Sequence, residues 1–305
     1  MVGAVEERGV PVADEPKVHE IPPILEKFLE RGLKLPTWPT LLGQLGEAIR
    51  NPQKGHNEVA RLLKSDPSLT AAVLKVANSV IYGASRQISS VEAAILRLGF
   101  KEVWNIVIGL KSKEFLNAPK LSVFSGWLYE HSLRLGFLFR HLSKDVNPRF
   151  EEFYFTAGVL HDIGRMVLAQ VDNEYAKYAL NLPTLLKEEQ GEVMADETKR
   201  WGNDHAEIGA ALAEFWNLPK PLVTMIREHH MLSLSDRVTN LMQLGDLWST
   251  ILTPPTKVNP KLYGALLDMR ICMKARIHPD MAQKIGVQVD QEVQAVLGSN
   301  TGAGP

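Results

Sequence analysis

Apolar residues recur along this chain at the three-to-four-residue spacing of a helix face, and that spacing constrains its fold more than any other feature. Leu41, Leu42, Leu45 and Ile49 form one stripe, closed by Asn51-Pro52; Val59, Leu62 and Leu63 form the next, stopped by Asp66-Pro67. Pro67 suits the first turn of a following helix, with Asp66 as its cap, running through Leu69, Val73, Leu74 and Val76. Ser89-Ser90-Val91-Glu92 reads as a capping box ahead of Ala93, Ile95, Leu96 and Leu98. Gly99 breaks that helix, and Val103 to Leu116 starts another. The pattern continues through Phe124–Leu142, Phe153–Val171, Ala206–Trp216, Pro221–His230, Ser235–Ile251 and Met281–Leu297, and Pro22-Pro23 opens a short amphipathic segment, Ile24–Leu33. With no alternating strand pattern and no fixed repeat, the expected fold class is all-α, a multi-helix bundle.

The 34 basic residues balance 35 acidic ones, so no net field draws nucleic acid or an anionic membrane surface, and neither is expected as a partner. Cys272 is the only cysteine, which excludes an internal disulfide and a cysteine-built zinc or iron–sulfur site. Residues 1–20, interrupted by Pro11 and Pro16, read as a flexible segment without a secretory signal. No run of about eighteen apolar residues occurs. The expectation is a soluble, cytoplasmic protein.

Within this helical frame lie His131, the pair His161-Asp162, His205, the pair His229-His230, and Asp246. Imidazole nitrogen and carboxylate oxygen suit iron, manganese, nickel or zinc. A carboxylate between Leu160 and Ile163 is costly to bury without a cation or donors, and a divalent metal would supply that cation. Asp246, in Leu244-Gly245-Asp246-Leu247-Trp248, poses the same problem, unless it bonds a nearby arginine. Gly158 and Gly164 bracket the His161-Asp162 pair and permit close helix approach or a distorted turn. Arg165 follows, where its planar fork could hold a phosphate or form a salt bridge. His205, after an Asn203 or Asp204 cap, reads equally as ligand or exposed cap residue. Neighbours on a helix point about 100° apart, so His229 and His230 cannot both reach one metal from one face while helical; if the helix frays there they could serve two metals, or one as ligand and one as a donor behind it. Together these residues could hold one or two ions, and two metals can hold the attacking and leaving oxygens of a phosphoester. Gly-rich phosphate loops, a nucleophilic serine motif and a Rossmann fingerprint are absent.

The order His131, His161-Asp162, His205, His229-His230, Asp246 resembles the HD superfamily of metal-dependent phosphohydrolases at its metal-ligand positions. The wider pattern is similar to the HDOD (HD-related output domain) family: Leu35-Pro36-Thr37-Trp38-Pro39, Asp66-Pro67-Ser68-Leu69-Thr70, Val76-Ala77-Asn78-Ser79 with Tyr82-Gly83, Ile88-Ser89-Ser90 through Leu98-Gly99, His131-Ser132, and Asp204-His205-Ala206-Glu207-Ile208-Gly209. The resemblance implies a domain over residues 35–230, with an N-terminal helical half over 35–118 and an HD-like half over 119–230. It leaves a short helix at 21–34, C-terminal helices completing the bundle at 231–297, and a tail at 298–305. It also implies a bacterial signalling role, with signalling proteins as partners. Related cyclic di-GMP phosphodiesterases carry an acid and a Gly-Tyr-Pro motif where this chain has Met231-Leu232-Ser233; Trp127 stands where some place a further glutamate ligand, and Arg165 replaces their lysine.

Two readings follow. The first is a regulatory output module that retains a mono- or dinuclear metal site, held by His131, His161, Asp162, His205, His229, His230 and Asp246. The second is an active phosphohydrolase on a phosphate-containing small molecule, with Asp162 and Arg165 as catalytic residues. In both, Asn78 and Ser79 belong to the scaffold.

Overall fold

The computed structural model describes residues 21–30, 32, 35–51, 53–82, 87–116, 121–144, 146, 151–181, 190–231, 237–252 and 279–299. The expectations for residues 1–20, for Gly83 and Cys272, and for the tail beyond Ser299 lie outside them. Among the described residues every regular element is helical, as the periodicity requires, and none is long and apolar enough to cross a membrane.

The N-terminal helices are α1 (Pro23–Glu30), α2 (Thr40–Arg50), α3 (Gly55–Lys64), α4 (Pro67–Ala77) and α5 (Val91–Leu116). Asp66 caps α4 as expected, accepting from the backbone N–H groups of Ser68 and Leu69 at 2.9 and 3.2 Å. The capping box ahead of α5 is not formed. Ser90 is the cap, accepting from Ala93 N at 3.2 Å, while Glu92 turns outward to Lys64 at 2.5 Å. Gly99 interrupts α5 at φ 76° and ψ 160°, a conformation available to glycine because it lacks a Cβ. Asn78 ties the end of α4 to the segment before α5: its amide donates to the carbonyls of Leu74 and Ile88 and accepts from Ile88 N. That is the scaffold role expected of it.

The second half comprises α6 (Ser122–Ser143), α7 (Glu151–Leu160), α8 (Ile163–Val171), α9 (Asn173–Leu180), α10 (Gln190–Trp201), α11 (His205–Phe215), α12 (Lys220–Glu228), α13 (Arg237–Leu252) and α14 (Pro279–Ser299). The continuous helix expected over Phe153–Val171 is two helices, with His161 and Asp162 in the turn between them. Helices α9 and α10 have no counterpart in the periodicity reading: α9 is only eight residues long, and α10 is polar with few apolar positions.

One hydrophobic core runs through both halves. Trp38 stacks on Phe115 and meets Trp216 at a tilt, and the Trp216 indole donates to Pro36 O at 2.8 Å. Trp104 on α5 donates to Thr156 on α7 at 3.0 Å. Helices α7 and α13 both pack on α6, and α11 packs on α8 and α12. A Cβ on Gly158 would lie 2.6 Å from Gly136 Cα, so α6 and α7 cross backbone to backbone. At Gly164 a Cβ would overlap His205 O, so α8 meets the start of α11 in the same way. These close approaches, with α13 packed on α6 and α12 on α11, bring α6, α8, α11, α12 and α13 to one buried point.

Candidate metal centre

Both adjacent-residue pairs lie where a helix has ended. Had α7 continued, His161 and Asp162 would diverge by about 100°; instead Asp162 adopts φ −98°, ψ 13° and both side chains turn inward. Likewise α12 stops at Glu228, and the His229 and His230 rings lie 4.0 Å apart. The structure brings all seven sequence-predicted ligands together, each at most 9% exposed.

The ligand atoms fall into two main groups that share Asp162, namely His131 and His161 on one side and His205, His229 and His230 on the other, and a third grouping of His161, His229 and Asp246 links them. On one side, His131 Nε2 lies 3.2 Å from His161 Nε2 and 3.1 Å from Asp246 Oδ1. Asp162 Oδ2 completes this group, 3.6 Å from His131 and 3.4 Å from His161. On the other side, His205 Nε2 lies 3.3 Å from His229 Nε2 and 2.9 Å from His230 Nε2, with Asp162 Oδ1 at 3.2 Å. His161 is also close to His229, their rings 5.0 Å apart, so the two groups are contiguous.

Ordinary hydrogen bonds do not account for all of these contacts. His161 Nδ1 is 2.8 Å from Gly158 O and His229 Nδ1 is 2.7 Å from Ile226 O. A carbonyl only accepts, so both Nδ1 atoms carry the proton and both Nε2 lone pairs face inward. His205 Nδ1 is 2.5 Å from Glu197 Oε2, which turns its Nε2 inward too. Asp162 Oδ1 is buried and makes no hydrogen bond within the protein. Lone pairs facing one another about 3 Å apart repel unless a cation stands between them. Ligands about 2.1 Å from an ion are spaced about 3.0–3.4 Å from each other, so the spacings fit an N/O-ligated divalent metal.

The charges point the same way. Burial opposes a proton on His161, yet Asp162 and Asp246 outweigh it and raise its pKa to about 10. Burial also opposes ionisation of Asp162, but Arg165, His161 and His205 hold its carboxyl well below the usual range. His230 is pushed well down by burial and by His229 and His205. Two ionised carboxylates thus draw positive charge to this point, a proton on His161 when no ion is bound, and a divalent cation could take that proton's place.

Asp246 contacts histidines here and not an arginine: Oδ1 faces His131 and His161, and Oδ2 lies 3.9 Å from His230 Nδ1. Ser249, on the same helix, donates to His131 O at 2.7 Å and ties α13 to α6. Trp127 stacks on the His131 ring, centroids 5.3 Å apart. His205 is fully buried, with Asp204 as the α11 cap. Arg165 takes the salt-bridge alternative. Its Nε pairs with Asp162 Oδ2 at 2.7 Å and its Nη1 with Glu197 Oε1 at 3.2 Å, so two donors of the fork are turned onto protein carboxylates.

Glu197 is the residue that sequence reasoning missed. It accepts from His205 N at 2.9 Å and from the Tyr175 hydroxyl at 2.7 Å, besides its contacts to His205 Nδ1 and Arg165. Burial resists its ionisation, but His205 and Arg165 lower its pKa to about 2. Nothing in Gln190-Gly-Glu-Val-Met-Ala-Asp-Glu-Thr-Lys-Arg-Trp201 separates Glu197 from Glu192 or Asp196. Among the described side chains of α10 it alone is buried.

The HDOD domain model matches residues 35–232, well over half the chain, including every candidate ligand but Asp246. This chain belongs to the HDOD domain family. An uncharacterized protein of Treponema pallidum (strain Nichols) is 27% identical over 200 residues, which are 65% of this chain and 38% of that protein. This HDOD chain thus spans well under half of that curated relative. The fold is shared with an HDOD domain protein of unknown function from Geobacter sulfurreducens (23% identity, TM-score 0.65, covering 90% of this chain and 96% of that one). It is also shared with a "putative phosphohydrolase" from Shewanella amazonensis SB2B (21% identity, TM-score 0.65, covering 92% and 98%). At such identities the likeness speaks for the HDOD fold alone.

Proposed function

We propose that this chain is an HDOD regulatory module for signal transduction that has kept a dinuclear metal centre bridged by Asp162. The observation that carries the metal is the meeting of inward-facing lone pairs from His161, His205 and His229 with the unpartnered Asp162 Oδ1. One ion would be held by His131, His161 and Asp162 with Asp246 beside both histidines, the other by Asp162, His205, His229 and His230. Iron, manganese, nickel and zinc suit such donors. The module reading rests on the family and on the deep burial of the ligands, which suits an ion that braces five helices around one point. Its partners are then signalling proteins, recognised by the surface of the bundle.

A second reading, a metal-dependent phosphohydrolase, is favoured by the bridging carboxylate, because paired ions can activate a water and stabilise a leaving oxygen. Here Asp162 would hold both ions, Arg165 would orient Asp162, and the histidines would complete the coordination. Metal analysis of purified, metal-replete protein tests both readings: about two ions per chain are expected, and none would remove both. Turnover of phosphomonoesters, nucleotides or cyclic dinucleotides that disappears in Asp162→Ala would replace the module with the enzyme.

A further inference from the structure

The two halves of the centre are not equivalent, and Glu197 lies behind only one of them. Its Oε2 grips His205 twice, at the ring Nδ1 (2.5 Å) and at the backbone N–H (2.9 Å). Its Oε1 receives Tyr175 Oη and Arg165 Nη1 at 2.7 and 3.2 Å. Arg165 in turn places Nε 2.7 Å from Asp162 Oδ2. One fully buried carboxylate therefore fixes His205 directly and Asp162 through Arg165. The consequences for the two Asp162 oxygens are opposite. Oδ2, facing His131 and His161, already shares its charge with the guanidinium, whereas Oδ1, facing His205 and His229, shares it with no donor. The His205 side also offers three imidazoles and the other side two, and imidazole is the better donor for the later divalent metals. Among the described residues, neither His131 Nδ1 nor His230 Nδ1 has a hydrogen-bond partner to compare with Glu197.

We infer that Glu197 is a positioning residue that makes the centre asymmetric: the ion among His205, His229, His230 and Asp162 Oδ1 is held tightly, and the ion among His131, His161, Asp246 and Asp162 Oδ2 exchanges. This rests on the dinuclear reading above. It assigns one ion to the permanent structure of the module and leaves the other free to report metal availability.

The test uses cobalt(II) alone as probe. Protein stripped with a strong chelator is reloaded, dialysed against a weak competing chelator, and analysed for cobalt per chain and for its visible absorption. The expected result is two ions on loading and one after dialysis. His131→Ala should retain the tight ion with unchanged affinity. Glu197→Gln should weaken it by about 10–100-fold, the usual effect of removing a carboxylate behind a ligating histidine. Glu197→Asp, which keeps the charge, should recover part of that loss and covers the case in which the glutamine variant folds poorly. Tyr175→Phe removes one partner of Oε1 and leaves Oε2 on His205, so it should keep the tight ion; loss equal to that of Glu197→Gln would mean general packing damage and overturn the inference. Two ions that leave together, or a Glu197→Gln protein as retentive as the parent, would overturn it while leaving the dinuclear reading intact. Failure of the parent to bind cobalt would remove both.

Discussion

Gly164 and His205 meet backbone to backbone: a Cβ on Gly164 would overlap the His205 carbonyl oxygen and lie 2.8 Å from Gly209 N. The start of α11, and with it a ligand, is positioned by the absence of a side chain on α8. Gly164→Ala is expected to push the helices apart, costing at least about 1–3 kcal/mol as overpacking does. The cost should be larger here because the obstacle is backbone, which cannot rotate away. Urea denaturation would read the loss, and cobalt binding on the His205 side should weaken in parallel. Parent-like stability and binding would contradict the close approach.

Asp162 turns Oδ2 to His131 and His161 and Oδ1 to His205 and His229. Asp162→Ala should therefore abolish both ions, whereas Asp246→Ala should lose only the one beside His131 and His161. Metal content per chain distinguishes the two variants. Equal losses would show that Asp162 does not bridge.

Away from the centre, Asp66 gives a pH-dependent prediction. Burial resists its ionisation, but Ser68, Lys111 and the Leu69 N–H overcome this and lower its pKa to about 2. A carboxyl lowered in the folded state contributes stability that is present above its unfolded value of 3.8 and is lost as pH falls through about 2. Asp66→Ala should cost about 0.5–2 kcal/mol near neutrality, the range for a lost helix cap. The gap between parent and variant should shrink between pH 4 and pH 2. Chemical denaturation of both proteins across that interval is the check, and a constant gap would refute it.

The C-terminal helix α14 lies beyond the matched HDOD span yet docks through charge. Glu292 is 3% exposed and pairs with Arg140 Nη2 at 2.7 Å and His141 Nε2 at 2.9 Å, both on α6. Arg140 also holds Glu102, which accepts from Tyr82. Removing one partner of such a buried pair costs about 3–5 kcal/mol when the other charge is stranded. Because Arg140 keeps Glu102, Glu292→Gln should fall at or below the lower end of that range. Proteolysis of α14 should accelerate in the variant, and unchanged protection would show that Val289, Val293 and Val296 suffice to hold the helix.

The all-α class, the Asp66 cap, the break at Gly99 and the seven candidate ligands were legible in the sequence, because each depends on local spacing or on residue type. Helix α10 was not legible: its stripe is thin, since it covers the core with little more than one buried acid. Nor was the break between α7 and α8 visible in an unbroken apolar pattern, although glycines flanked it.

What the sequence determined by itself was a set of helices and a supply of imidazoles and carboxylates, since propensity, capping and apolar spacing act over a few neighbouring residues. Tertiary packing alone decided that these donors face one another, that Asp162 divides its oxygens between two groups, and that Glu197 stands behind His205. Those are relations between side chains from α6, α10, α11 and α13 and from the turns after α7 and α12. Distances across such a bundle are fixed only when backbones close together at Gly136, Gly158 and Gly164, a property of shape that no local pattern encodes.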